Sequence, residues 1–240
     1  MKIVVITGEE SGDYLGAALL SALEKFYDQK LDIYGIGGKA LKSKGIKNFY
    51  DISEINVMGI IEVIPKIFHI KNIINKTVSK TLDLQPDIVL TIDSPDFTLR
   101  IAKKLKQKDS SLKIIHFVAP SVWMWRSSRI KTVKQSIDHL LTILPFEKEI
   151  FEKENIDTTF VGHPITEINV QDYSSSTLNE LSSNIKKEIM LILPGSRKKE
   201  VEKLLPIYLE SVRQSNWKDR FDIVIPATEN MYQLIRNITK

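Results

Sequence analysis

Short apolar runs recur along the chain at Ile3–Ile6, Leu31–Tyr34, Ile88–Ile92, Lys113–Val118, Leu140–Leu144, Thr158–Val161, Ile189–Leu193 and Phe221–Ile225. Most are separated by stretches long enough for a helix, and that alternation predicts βα units around a parallel sheet. The run Ile88–Ile92, bracketed by Pro86 and Pro95 and rich in β-branched residues, predicts a buried parallel strand rather than a piece of helix. Asp93 then stands at a strand's carboxyl end, the edge at which open α/β sheets hold ligands. Ser94 before Pro95 reads as a helix N-cap, and Asp96 falls in the first turn, where the helix dipole favours a carboxylate. Helix capping and catalysis are both open to Asp93 and Asp96 at this point.

The alternation lapses in residues 170–187, where Gln171-Asp172-Tyr173-Ser174-Ser175-Ser176-Thr177 is polar and poor in apolar side chains. This is the expected linker between a first domain, 1–169, and the start of a second, 188–240. Two βα units are too little for an independent α/β sheet, so the second domain is expected to be incomplete in this chain.

Several predicted loops carry chemistry. The loop Gly8-Glu9-Glu10-Ser11-Gly12-Asp13-Tyr14-Leu15-Gly16 follows the first strand and opens a helix expected from about Tyr14 to Phe26. Its glycine spacing matches neither a dinucleotide fingerprint nor a Walker loop. Its three carboxylates would repel a diphosphate, so the loop suits sugar hydroxyls, or else caps the helix. The turn Gly35-Ile36-Gly37-Gly38 ends the second strand and reads as a tight turn. Across Ile55–Ile74 an apolar run, Val57–Ile64, leads through Pro65 into a helical pattern with Ile67, Ile70, Ile73 and Ile74 on one face and Lys66, Lys71, Lys76 and Lys80 elsewhere. Such a helix can lie on a membrane or grip acyl chains through Val63, Ile64, Ile67, Phe68 and Ile70, or it can pack on the sheet. Beyond Val118, Trp123, Trp125 and Arg126 offer stacking faces for a sugar and a guanidinium for phosphate, or else fill an interface. His163, in Val161-Gly162-His163-Pro164, falls at the same strand-end edge as Asp93 if the sheet is parallel. In the second domain, Pro194-Gly195-Ser196-Arg197 joins a strand to a helix starting near Lys198. Three cations there oppose the helix dipole, and a diphosphate bound by the Gly195 and Ser196 amides and the Arg197 fork would reverse that cost.

Composition narrows the classes. The 240 residues are 42% hydrophobic and 27% charged, which suits one large or two smaller globular domains. No apolar run is long enough to cross a bilayer, and Ile3–Ile6 leads straight into Glu9 and Glu10 rather than into a signal-peptide core. A cytoplasmic location is therefore expected. Without cysteine there is no disulfide framework, thiolate metal site or thiol nucleophile, and the scattered His69, His116, His139 and His163 lack ligand spacing, so no metal is expected. A net charge of +4 is too mild to predict nucleic acid, though it suits anionic small molecules or an anionic membrane.

Taken together, the Gly8–Gly16 loop, Ser53–Val63 with its Val57-Met58-Gly59 core, Ile92-Asp93-Ser94-Pro95-Asp96-Phe97, Ala119–Arg126, Leu144-Pro145-Phe146-Glu147, Val161–Pro164 and Leu193–Arg197 resemble the lipid-A-disaccharide synthase family in order and spacing over the whole chain. The resemblance implies two Rossmann-like domains of the GT-B type and a glycosyltransferase of lipid A and lipopolysaccharide biosynthesis. Such an enzyme works at the inner face of a Gram-negative cytoplasmic membrane, to which it is peripherally attached. It implies transfer of 2,3-diacylglucosamine from UDP-2,3-diacylglucosamine to the 6-hydroxyl of 2,3-diacylglucosamine 1-phosphate, with inversion and with neither cofactor nor metal. On that reading Asp93 is the expected base, with Asp96 as the alternative and His116 and His163 behind it. Glu9, Ser11, Gly12, Asp96, Trp123, Arg126 and His163 are expected around the acceptor, and Gly195, Ser196 and Arg197 around the donor diphosphate. A soluble UDP-sugar enzyme, such as a 2-epimerase, or a lipid- or nucleotide-binding fragment without turnover are the competing readings. The sequence leaves oligomeric state and acyl length open.

Overall fold

Each of the eight apolar runs forms a strand, and among the described residues a ninth that the apolar pattern does not predict lies at Lys47–Asp51. The computed structural model describes residues 1–28, 30–55, 63–122, 128–167 and 185–240, with the backbone alone at 53, 63–67, 128, 167, 218 and 229. It divides the chain into two units, Met1–Ile168 and Asn169–Lys240.

In the first unit, β1 (Lys2–Thr7), β2 (Asp32–Gly37), β3 (Lys47–Asp51), β4 (Ile88–Ile92), β5 (Ile114–Phe117), β6 (His139–Thr142) and β7 (Thr158–Phe160) form one sheet in the order β3-β2-β1-β4-β5-β6-β7. All neighbours pair in parallel. The chain steps one way from β1 to β2 and β3, then returns to the other side of β1 with β4. The loops after β1 and β4 therefore diverge, and the crevice between them is the topological switch point of the sheet.

Side-chain alternation fixes the two core layers. In β1, Val4 and Ile6 face one layer while Ile3 and Val5 face the other, all of them buried. The helices α1 (Glu10–Phe26) and α2 (Lys39–Ser43) cover the Ile3 and Val5 face through Leu20 and Leu41. The opposite face is covered by α3 (Val63–Leu84), α4 (Pro95–Lys108) and α5 (Ser128–Ser136), through Ile73, Val78, Ile101, Leu105 and Val133. A further helix, α6 (Pro145–Glu152), leads to β7 and buries Phe151.

The basic helical pattern after Pro65 is thus resolved in part as core. Ile73, Ile74 and Val78 are buried, and Ile70, expected to touch acyl chains, packs partly against the same layer. Phe68 is 68% exposed. The side chains of Val63, Ile64 and Ile67 lie outside the described residues. Among the described residues, no helix is long and apolar enough to cross a membrane.

In the second unit, β8 (Glu188–Leu191) and β9 (Phe221–Val224) pair in parallel, with α7 (Lys198–Gln214), α8 (Trp217–Arg220) and α9 (Glu229–Ile238). Ile192, Val201, Leu205, Val212 and Ile235 form its core.

Candidate active site

The end of β4 and the end of β5 share an uncommon backbone. Asp93 (φ 48°), Ser94 (φ 44°) and Val118 (φ 76°) all adopt left-handed conformations without being glycine. For a β-branched residue such as Val118 this is a genuine outlier, and such outliers persist only where surrounding bonds enforce them. Here the enforcing bonds are present. The Asp93 amide donates to the Phe117 carbonyl at 2.9 Å, and the Val118 amide to the Leu141 carbonyl at 3.0 Å. From α4, the Thr98 hydroxyl donates back to the Asp93 carbonyl at 2.6 Å.

The left-handed turn changes what Ser94 does. It occupies the N-cap position of α4, yet its side chain makes no capping bond, and its buried oxygen has no hydrogen-bond partner among the described residues. The side chain turns instead toward Gly8 in the loop after β1, where an added Cβ would lie 2.7 Å from the Ser94 Cβ. Gly12, buried in the first turn of α1, likewise lets that helix pass the Ile92 carbonyl, 3.3 Å from where a Cβ would sit. These close approaches bring the first loop against Asp93, and the Ser11 hydroxyl lies 3.4 Å from an Asp93 carboxylate oxygen. Glu9 is exposed on the same loop.

A cavity of about 400 Å³ opens beside this junction, lined by Asp93, Pro95, Asp96, Val118, Ala119, Pro120, Ser121 and Arg129. In its wall Arg129 donates to Asp96 at 2.5 Å. The strand-end edge thus places two carboxylates and a guanidinium around one sugar-sized space. The sequence singled out both carboxylates but gave Arg129 no role. A basic residue in the first turn of the helix Ser128–Ser136 that follows β5 was the available signal.

Other expected residues fall elsewhere. His163 does stand at the carboxyl end of β7, in a sheet that is parallel throughout, but three strands along from β4. Its Nδ1 accepts from the Ile165 amide at 3.1 Å, and it does not line the cavity. His116 is fully buried within β5, with Nδ1 2.9 Å from the Thr91 hydroxyl. Burial pulls its imidazole down to about 4, so it is neutral at pH 7. Trp123, Trp125 and Arg126 lie outside the described residues.

Two acids in the matched motifs serve helix ends. Asp13, read from sequence as part of an acidic sugar-facing loop, is buried and accepts from the amides of Gly38 (2.6 Å), Ala40 (2.8 Å) and Leu41 (3.2 Å), anchoring the start of α2. Glu147 accepts from the Ile143 and Leu144 amides at 3.2 and 2.9 Å and caps α6, while burial pushes its carboxyl up. Neither belongs to the cavity lining.

In the second unit, Gly195 has φ 108°, and Arg197 is the N-cap of α7. The three-cation helix start already has an anion: Glu200 accepts from the Arg197 amide at 3.4 Å and from its guanidinium at 3.3 Å. Gly195 permits this, since a Cβ there would lie 2.6 Å from a Glu200 oxygen. Ser196 is exposed beside it.

A family model described as lipid-A-disaccharide synthetase matches residues 3–240. The lipid-A-disaccharide synthase of Ruegeria pomeroyi is 39% identical over 216 residues, covering 89% of this chain and 53% of that protein. That of Rickettsia bellii is 39% identical over 237 residues, covering 98% of this chain and 62% of that protein. The chain therefore spans between half and two thirds of the length of these relatives. Among solved structures, UDP-GlcNAc 2-epimerase from Neisseria meningitidis bound to UDP-GlcNAc shares the fold, with TM-score 0.68 at 16% identity over 99% of this chain and 69% of that one. The expected α/β, GT-B fold class is thereby met. With motifs, sheet order and relatives in agreement over residues 3–240, the chain belongs to the lipid-A-disaccharide synthase family.

Proposed function

We propose that the first unit holds the acceptor site of an inverting, metal-independent glycosyltransferase, which moves 2,3-diacylglucosamine from UDP to the 6-hydroxyl of 2,3-diacylglucosamine 1-phosphate and releases UDP. The observation that carries this reading is Asp93, fixed by a strained turn at the switch point and facing a sugar-sized cavity. Its carboxylate takes the 6-hydroxyl proton as that oxygen forms its bond to the anomeric carbon, on the face opposite the breaking bond to UDP. Ser11, hydrogen-bonded to that carboxylate, orients it, and Glu9 and the Asp96 side of the cavity hold the sugar. The leaving diphosphate gathers charge, and the assigned counter-charge is Arg197, which exchanges Glu200 for the more highly charged anion, joined by the Gly195 and Ser196 amides. The cytoplasmic membrane's inner face is the assigned location, with the exposed Phe68 end of α3 as the contact.

Turnover in a chain of the relatives' full length tests the role of Asp93. Asp93→Asn is expected to lower kcat by about a hundred-fold or more, the usual scale of a lost general base, with acceptor affinity changed only a few-fold. Near-normal turnover would remove Asp93 from the role.

A further inference from the structure

Arg129 is the residue of the cavity wall that the reading above leaves without a task. Its side chain is only 21% exposed, whereas the Asp96 carboxylate it meets is 70% exposed. Among the described residues, Asp96 is the hydrogen-bond partner of its guanidinium, through one N–H. An ion pair with so exposed a carboxylate adds little stability, while a largely buried guanidinium still needs an anion. The pair is therefore easily exchanged for a stronger anion. A phosphate monoester carries more charge than a carboxylate and accepts two parallel N–H bonds from one guanidinium. A neutral sugar has nothing with which to displace Asp96.

We propose that Arg129 is the anion-recognition residue of this cavity, taking the phosphate of a sugar 1-phosphate, with Asp96 as the internal anion that this phosphate displaces. The inference rests on the reading of the cavity as an acceptor site and adds to it the group that selects a phosphorylated acceptor. The arrangement also orients the ligand. Asp93 repels a dianion, so the phosphate goes to the Arg129 side of the space, away from the Asp93 carboxylate.

The two partners give opposite signs on substitution, which a merely structural ion pair would not. The experiment measures affinities of the 240-residue chain for 2,3-diacylglucosamine 1-phosphate and for its dephosphorylated counterpart in the same mild detergent. Wild type is expected to prefer the phosphorylated lipid by about tenfold or more, the scale of a charged hydrogen-bonded contact. Arg129→Gln is expected to bring that ratio to about one while leaving affinity for the dephosphorylated lipid within about two-fold. Asp96→Asn is expected to widen the ratio by about three-fold or more, because the competing anion is gone. A preference kept by Arg129→Gln, or narrowed by Asp96→Asn, overturns the proposal. If Arg129→Gln fails to fold by circular dichroism, the sign of the Asp96→Asn effect decides alone. Equal wild-type binding of both lipids overturns the phosphate role and leaves the acceptor site standing, whereas no binding of either removes both.

Discussion

Burial of His116 between its neighbouring strands ties the stability of the sheet to pH. In the folded chain its imidazole titrates at about 4, below the ordinary value of 6.5. As pH falls, the unfolded chain takes up the proton first, so stability is full above about 6.5, declines between about 6.5 and 4, and levels off below that. The loss at the bottom of this window is expected to be about 3 kcal/mol from this group. Urea midpoints at pH 7 and pH 4.5 should therefore fall further apart in wild type than in His116→Gln, and equal spacing would contradict the assignment. Asp13 gives a second test at this scale. Three amides at the start of α2 converge on it, so Asp13→Ala is expected to lower unfolding stability by about 3 kcal/mol and Asp13→Asn by less, read from urea unfolding. A loss well under 1 kcal/mol for Asp13→Ala would mean that other groups anchor α2. Neither role was legible in the sequence. The partners of Asp13 lie 25 to 28 residues away, and an acid beside Glu9 and Glu10 looks like part of one loop until the fold separates them. Ser94 misled in another way. Ser-Pro is a sound capping signal, but nothing in the residue type discloses the two consecutive left-handed residues that turn its hydroxyl away from the helix.

At the scale of elements, eight strands were legible because buried parallel strands are written as short apolar runs between turn residues. The ninth, Lys47-Asn48-Phe49-Tyr50-Asp51, sits at the sheet's edge and is only half-buried, so its pattern carries charge at both ends. α1 begins at Glu10 rather than near Tyr14, because Glu10 and Asp13 suit the first turn and extend the helix back into the loop. The amphipathic α3 could be read as core or as membrane contact from sequence alone, since its apolar stripe satisfies either. Packing puts Ile73, Ile74 and Val78 in the core and leaves Phe68 exposed. Ile73→Ala is expected to cost about 3 kcal/mol in unfolding, as a core truncation does. Phe68→Ser is expected to leave stability unchanged and to lower partition onto vesicles containing anionic lipid. Co-sedimentation checks the second half, and unchanged partition would take Phe68 out of the membrane contact.

For the whole molecule, the sheet order and the switch point give the Asp93 crevice its meaning, since the same residues on an antiparallel sheet would not share one edge. That crevice could be anticipated because strand ends, helix starts and acid positions are all written locally. Arg129 and Glu200 could not, because their importance lies in which charge they meet after folding. The most direct measurement is saturable binding of 2,3-diacylglucosamine 1-phosphate to the folded 240-residue chain in mild detergent, with unacylated glucosamine 1-phosphate as the comparison. Saturable binding of the diacylated ligand, tighter than that of the unacylated one by about tenfold or more, is the expected result for a lipid-acceptor site in the first unit. Equal binding of the two, or no binding by a chain shown to be folded, would contradict it.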